Sequence, residues 1–299
     1  MSPVQKAQMI TAPYSRLKVL SVPSDFDFCQ TSIKKIFNDK EFNDKLKKED
    51  NVCLSAANSI NWGRLLPQVC YHVFGYLKLA QLKKINIGDK IHMCVPTGNF
   101  GNILAGLLAK ESGVPYDRLI SASNDNNVLS DFFINGVYDI QNRNLIKTSS
   151  PSIDILKSSN LERMLHVITQ GKQKSEIASY FADLDAKKKF IVSEEIRNKL
   201  KQYFDASWCD DITAKKIISE TISKTQGTER QTILIDPHTA VAVHVMNEFV
   251  NKHGNNIPII VASTAHYAKF PNAIFESMNI SAKVFFINLF SSKLYWIVH

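Results

Sequence analysis

The stretch "VPTGNFGN" (95–102) sets two glycines and two asparagines between a β-prone run, "KIHMC", and a helical one, "ILAGLLAK". In open α/β sheets, ligands sit beyond the carboxyl ends of the strands. A helix that starts there presents unpaired N–H groups and a partial positive charge. Glycine also lacks the Cβ that would hold a ligand off the backbone. Gly98 and Gly101 would aim N–H groups inward, and Asn99 and Asn102 would add side-chain donors. The natural guest is a phosphate group. The same residues also suit a tight strand-to-helix turn with no ligand. The spacing is neither GxGxxG nor GxxxxGK[ST], which argues against both nucleotide fingerprints.

Three further clusters carry polar groups. "ANSINW" (57–62) places Asn58, Ser59 and Asn61 at the mouth of a long helix, where they could cap it or line a pocket. "DPHTAVAVH" (236–244) holds His238 and His244 six residues apart. That spacing does not share a helical face as i, i+4 does, so no metal site is expected. Asp236 reads as a helix cap with Pro237 at the first helical position, and His238 as a pocket residue. "STAHYAKF" (263–270) offers Ser263, Thr264 and an imidazole after a strand, with capping by Ser263 or Thr264 as the plainer use. Four such clusters at strand ends suggest one pocket more strongly together than singly.

The elements that would position them alternate. Strands are expected at 17–22 ("LKVLSV"), 91–95, 118–123, 232–235 ("TILI") and 257–263. Helices are expected at 29–37, 60–82, 101–110, 126–136 closed by Gly136, 236–250 and near Lys269, with 160–230 mostly helical. Pro67 should kink the long helix or mark its first turn. Such alternation implies an α/β fold with a largely parallel sheet.

Composition bounds the rest. The 299 residues are 44% hydrophobic and 21% charged, ordinary for a globular protein of one large domain or two smaller ones. The net charge of +8 resides largely in short runs such as "KLKK" (45–48) and "KKK" (187–189), which read as solvated helix faces. No basic stripe interleaved with aromatics argues for nucleic acid. The five cysteines include no C-x-x-C pair, so a reducing, intracellular compartment is expected. The start, "MSPVQKAQMI", has no apolar h-region, and no apolar run reaches membrane-spanning length.

The motifs "NSINW", "PTGNFGN", "DPHTAVA" and "STAHYAKF", in this order, resemble those of the threonine synthase family. "SDFDFCQTSIKKIFND" (24–39), "LLPQVCYH" (65–72) and "SPSIDILKSSNLERML" (150–165) are similar to its vertebrate threonine synthase-like branch. The resemblance covers about residues 1–282. It implies a pyridoxal 5'-phosphate (PLP) enzyme of the tryptophan synthase β-like fold (fold type II). Gly98, Asn99, Phe100, Gly101 and Asn102 would hold the cofactor's phosphate. Thr264 would face the pyridine nitrogen, where a hydroxyl suits a neutral ring. Asn58, Ser59, Asn61 and His238 would lie near substrate or ring. The family reaction converts O-phosphohomoserine and water to threonine and phosphate. The partner would be a phosphorylated small molecule, with neither nucleic acid nor membrane involved.

Two departures shape the expectation. The family's Schiff-base lysine lies in an amino-terminal motif of the type "GPTLAFKD", which is absent here. No catalytic residue is therefore assigned, the fold is expected to be incomplete at its amino terminus, and PLP would bind non-covalently at best. Residues 1–56 would be the remnant of the lysine-bearing domain, 57–282 the cofactor-phosphate domain, and 283–299 a divergent apolar tail, either a packed hairpin or translated non-coding sequence. The expected protein is a catalytically incompetent piece or isoform, cytoplasmic or mitochondrial, that oligomerises or lacks an amino-terminal domain. The alternative is a non-catalytic phosphate- or PLP-binding or protein-interaction module.

Overall fold

The structure is a computed structural model that describes residues 3–24, 26–58, 60–226 and 232–280. The chain divides into two compact units, Met1–Asn61 and a second from Trp62 onward.

The first unit contains helices α1 (Pro3–Ile10), α2 (Phe26–Asn38) and α3 (Lys40–Glu49). Two local devices join α2 to α3. Asp39 Oδ1 accepts the Phe42 amide at 3.0 Å, capping α3. Asn43 Nδ2 donates to the Ile36 and Phe37 carbonyls, each at 3.1 Å, which the end of α2 leaves without helical partners. The strand expected at 17–22 is absent: the segment is irregular, and Leu20 is 87% exposed. β-Branched side chains favour extended backbone, but a strand exists only where a neighbour completes its ladder.

The second unit opens with α4 (Trp62–Gln81), which has Pro67 inside it, one turn in. Strand β1 (Ile91–Pro96), helix α5 (Gly101–Glu111), strand β2 (Tyr116–Ser123) and helix α6 (Val128–Asn135) follow, largely as expected. Gly136 closes α6 with φ 74°, a left-handed cap that glycine adopts without strain. Next come β3 (Val137–Asp139), α7 (Leu161–Ile168), α8 (Lys174–Lys187), β4 (Lys189–Ile191), α9 (Glu194–Tyr203), β5 (Phe204–Trp208), α10 (Asp211–Thr225), α11 (Pro237–His253), β6 (Ile259–Val261) and α12 (Pro271–Ser277). The stretch 232–235, expected as a strand, is irregular chain leading into α11. β3, β4 and β5 were not anticipated. The apolar tail 283–299 lies outside the described residues.

Four strands form a parallel sheet in the order β5-β2-β1-β6. β1 is central, and all six of its residues are buried, as a strand covered on both faces requires. Its side chains alternate between two cores. Ile91, Met93 and Val95 join the apolar cluster built with α4 through α9. Cys94 joins the cluster built with α10, α11 and α12. Each fully buried aliphatic side chain contributes roughly 1.5–3 kcal/mol. Helices on both faces and parallel strands within make this an α/β fold, as the sequence implied. Among the described residues, no helix is long and apolar enough to cross a membrane.

Candidate functional site at the carboxyl end of β1

β1 delivers the chain to Thr97, whose amide still bonds to the β2 carbonyl of Ala122 at 2.8 Å. The ladder stops there. Phe100 then adopts φ 63° and ψ 10°, and α5 begins at Gly101 with no side-chain cap. A left-handed backbone on a bulky residue costs about 1–2 kcal/mol and needs enforcement by its surroundings. Packing supplies it: Phe100 is 1% exposed and stacks on Phe133 with centroids 5.8 Å apart. Phe204 of β5 lies at the same distance.

The reversal at Phe100 has an electrostatic result. Among the described residues, none of the amides from Gly98 to Ile103 has a hydrogen-bond acceptor. Gly98, Phe100, Gly101 and Ile103 are nonetheless buried. Buried N–H groups in native proteins are nearly always paired. A left-handed residue next to a right-handed one also turns successive amides to one side, the geometry of anion-binding nests. The donors carry no titratable group, so the attraction is that of dipoles together with the α5 amino terminus.

The walls of this turn come from three other segments. A Cβ on Gly98 would stand 2.9 Å from Ile153 Cα and 3.1 Å from the Ser152 carbonyl oxygen. The close approach that Gly98 permits is therefore to the protein's own backbone, in the 3₁₀ turn Pro151–Ile153. His238 braces that turn: its Nε2 accepts the Ser152 amide at 3.1 Å, while its Nδ1 lies 2.6 Å from Asp236 Oδ1. A backbone amide can only donate, so Nε2 is bare and Nδ1 carries the hydrogen toward Asp236. Asp236 also caps α11 through the His238 amide and accepts the Thr239 hydroxyl, as expected of a cap before Pro237. Thr239 Oγ1 in turn reaches Ser263 Oγ at 3.1 Å, beyond the end of β6. On the other flank, the Asn99 carbonyl accepts the Asn160 amide at 3.2 Å and its Nδ2 at 2.9 Å.

Three of the four polar clusters read from the sequence thus meet within one network. His238 is 1% exposed, with both ring nitrogens bonded inside the fold. Ser263 and Thr264 are exposed, and the cap of the following 3₁₀ turn is His266, whose Nδ1 accepts the Ala268 amide, rather than either hydroxyl. Asn58 and Asn61 belong to the first unit. There Asn58 Oδ1 accepts the Ile60 amide at 3.2 Å, and Asn61 Nδ2 donates to the Ala56 carbonyl at 2.8 Å. Ser59 lies outside the described residues.

Relatives place this arrangement. Threonine synthase-like 1 of Macaca fascicularis is 46% identical over 279 residues, which cover 93% of this chain and 36% of that protein. This chain belongs to the threonine synthase family. A model of the threonine synthase C-terminal region matches residues 239–289. PLP-bound threonine synthase from Brucella melitensis superposes with a TM-score of 0.79 at 36% identity, over 92% of this chain and 55% of that one. Threonine synthase from yeast does so with a TM-score of 0.79 at 33% identity, over 94% and 54%. The chain thus spans about a third to a half of the length of these relatives. The shared architecture is that of the PLP-dependent threonine synthases, as the motifs implied.

Several residues around this turn escaped the sequence reading. Asp154 is a hub: its Oδ1 accepts Asn124 Nδ2 at 2.7 Å and Thr148 Oγ1 at 2.7 Å, tying the 148–154 segment to the end of β2. His72 of α4 is 2% exposed, and its Nε2 lies 3.0 Å from the Asn102 carbonyl oxygen and 3.1 Å from Asn102 Oδ1. Burial lowers its pKa below the ordinary imidazole value, an effect partly offset by the two Asn102 acceptors. Two residues beyond β2, burial raises the pKa of Asp125; the hydrogen bond from the Asp211 amide opposes this, and the Asp210 and Asp211 charges add to it.

Proposed function

We propose that the turn from Gly98 to Ile103 cradles the phosphate of pyridoxal 5'-phosphate, and that the chain forms the cofactor-phosphate half of a threonine synthase-like cleft. One observation carries this reading: six consecutive amides, most of them buried, without acceptors. A doubly charged phosphate would satisfy several of them at once. The donor set fits the group. It has no charge of its own to repel an anion, the amide hydrogens are grouped by the turn at Phe100, and the Asn102 carboxamide adds a further donor. The Brucella relative is a PLP-bound threonine synthase, which supports the same ligand class.

When bound, PLP acts as an electron sink for charge developing on an attached amino acid. This chain's own residues would bind and orient it. Thr264 offers a hydroxyl at the neighbouring strand end, suited to a neutral pyridine nitrogen. His238 holds the wall through Ser152 rather than moving a proton, since its Nε2 lone pair is already used. These residues contain no segment of the "GPTLAFKD" type, so the cofactor would be held without a covalent link. O-Phosphohomoserine would not be turned over by these residues alone; in the whole family protein, conversion of that substrate to threonine and phosphate is the proposed reaction.

The test is equilibrium binding of PLP and of pyridoxal to the 299-residue chain, followed by borohydride reduction and peptide mapping. PLP should bind at least about tenfold more tightly, the scale of a charge-assisted hydrogen bond or more. Inorganic phosphate should compete, and no single lysine should be labelled. Equal affinity for the two aldehydes would defeat the phosphate cradle. One specifically labelled lysine with consumption of O-phosphohomoserine would defeat the non-covalent part.

A further inference from the structure

His72 sits thirty residues before Asn102, on a different helix. It is a buried imidazole to which the phosphate cradle as described gives no task. Its Nε2 faces two oxygens of one residue, the backbone carbonyl of Asn102 at 3.0 Å and the side-chain Oδ1 at 3.1 Å. A carbonyl can only accept, so Nε2 must carry the ring hydrogen. The side-chain atom beside the same N–H is then the carboxamide oxygen, and the NH₂ group points away from the ring. Among the described residues that NH₂ has no acceptor. The other ring nitrogen, Nδ1, is buried without a hydrogen bond. It lies against Gly106, where a Cβ would come within 3.3 Å of Nδ1 and 3.2 Å of Cε1. Tyr116 packs against the same residue. The His72 carbonyl accepts the Tyr116 hydroxyl at 2.9 Å, and the Tyr116 ring meets the imidazole edge-on at 6.3 Å.

We propose that His72 is the positioning residue of the phosphate cradle: its Nε2–H captures both oxygens of Asn102 and thereby leaves the carboxamide NH₂ as a free donor at the first turn of α5. This rests on the phosphate reading of the 98–103 turn. The unsatisfied Nδ1 is the cost of the arrangement. A residue chosen only to fill space between α4 and α5 would not bring a polar nitrogen that finds no partner. Gly106 fits the same arrangement, because a Cβ there would crowd the ring at 3.2–3.3 Å. The carboxamide is thus set by a group from a rigid packed helix, the support that a precise binding site requires.

The experiment compares PLP with pyridoxal binding in the full chain and in the variants His72→Phe, His72→Gln and Asn102→Ala. His72→Phe keeps the ring's bulk and removes the donor; His72→Gln places an amide N–H near the Nε2 position. His72→Phe should lower the preference for PLP over pyridoxal about tenfold, as expected for one hydrogen bond to a charged group. His72→Gln should stay within about threefold of the parent, half an order of magnitude or less. In the Asn102→Ala background, His72→Phe should change the preference no further, since the two share one effect. Nitrogen-15 spectra of the parent should show the Nε2–H tautomer. Preference retained in His72→Phe, additive losses in the double variant, or an Nδ1–H tautomer would each overturn the proposal and leave the cradle standing. A parent chain that binds both aldehydes equally would overturn the cradle and this inference with it. The parent tautomer decides even if His72→Phe does not fold.

Discussion

The loops that follow β1 and β6 leave neighbouring parallel strands, yet they are built in opposite ways. The strands pair from His92↔Ile259 to Cys94↔Val261, and the Ala262 amide still bonds to the Cys94 carbonyl at 2.9 Å. After β1, the chain dives: Thr97 is 4% exposed and Phe100 1%. Three outside segments then hold it through Ser152–Ile153, Asn160 and His72. After β6, Ser263 and Thr264 are exposed, with the Thr239–Ser263 contact as a tie to the interior. One loop is shaped by folding, and the other presents side chains on a surface. Substitutions in the first should therefore change stability and ligand binding together, while those in the second should separate them.

The largest effect is expected at Phe100. Truncation of a fully buried phenylalanine costs about 3–5 kcal/mol, and Phe100→Ala should fall in that range by urea unfolding. The variant keeps the left-handed backbone strain, because alanine dislikes that region as phenylalanine does. Phe100→Gly loses the same ring and sheds the strain. It should therefore be more stable than Phe100→Ala by about 1 kcal/mol, against the usual order of alanine over glycine. The usual order, if measured, would show that φ 63° is not enforced in solution and would erase the contrast between the loops.

Asp236 ranks next because it links the two loops. It caps α11, orients His238 and holds Thr239, which reaches Ser263. Asp236→Ala removes a cap worth about 1 kcal/mol and leaves buried donors unsatisfied at about 1–3 kcal/mol. A total of about 3 kcal/mol is expected by chemical unfolding, with weaker PLP binding as the Pro151–Ile153 turn loosens. Loss of stability with unchanged PLP binding would show that the wall behind Gly98 does not shape the cradle.

A smaller effect follows from pH. Burial lowers the pKa of His72, and it does the same for His92, where Asp117 and Asp205 raise it and Arg118 and His253 lower it further. Unfolded imidazoles titrate at about 6.5. Between that value and the lower folded values, the unfolded chain binds more protons than the folded one. Stability from these groups is therefore complete above about pH 6.5 and lost as the pH falls below it. Each group contributes a slope of at most about 1.4 kcal/mol per pH unit in that window. His72→Phe should flatten the slope, and a profile unchanged by the substitution would show that His72 does not titrate on unfolding. The carboxylates with lowered pKa values, such as Asp139 held by Lys189, act only nearer about pH 4, so the two windows separate.

What could be read in advance follows the same division. β1, β2, α5, α6 and α11 were legible because each is a run of buried residues bounded by turn or cap residues, with Asp236–Pro237 and Gly136 the plainest. β5 was not: "FDASW" continues directly from Tyr203 at the end of α9, with no intervening turn residue to announce it. "LKVLSV" and "TILI" failed in the opposite sense, since their branched residues promise a strand but no ladder completes it. At the site, the turn at 98–102 was legible as bare backbone, but the use of Gly98 was not, because its close neighbour, Ile153, is remote in sequence. His72 was hidden for the same reason: one imidazole in an amphipathic helix looks like any other until α5 is packed against it.

The smallest stability effect, and the one that isolates the exposed loop, is expected at Thr264. Its side chain is at the surface, so Thr264→Val should change unfolding free energy by no more than about 0.5 kcal/mol. Valine keeps the branched shape and deletes only the hydroxyl. If that hydroxyl meets the pyridine nitrogen, Thr264→Val should weaken PLP and pyridoxal by the same factor, about fivefold for one neutral hydrogen bond. The preference between them should stand, because both carry the ring and only PLP carries the phosphate. Asn102→Ala is the mirror image, expected to erode the preference and spare pyridoxal. The pair of ratios therefore assigns each loop to one end of the ligand. A Thr264→Val chain that lost its preference for PLP while binding pyridoxal normally would place the phosphate at the β6 loop and reverse the orientation argued from the amides that follow β1.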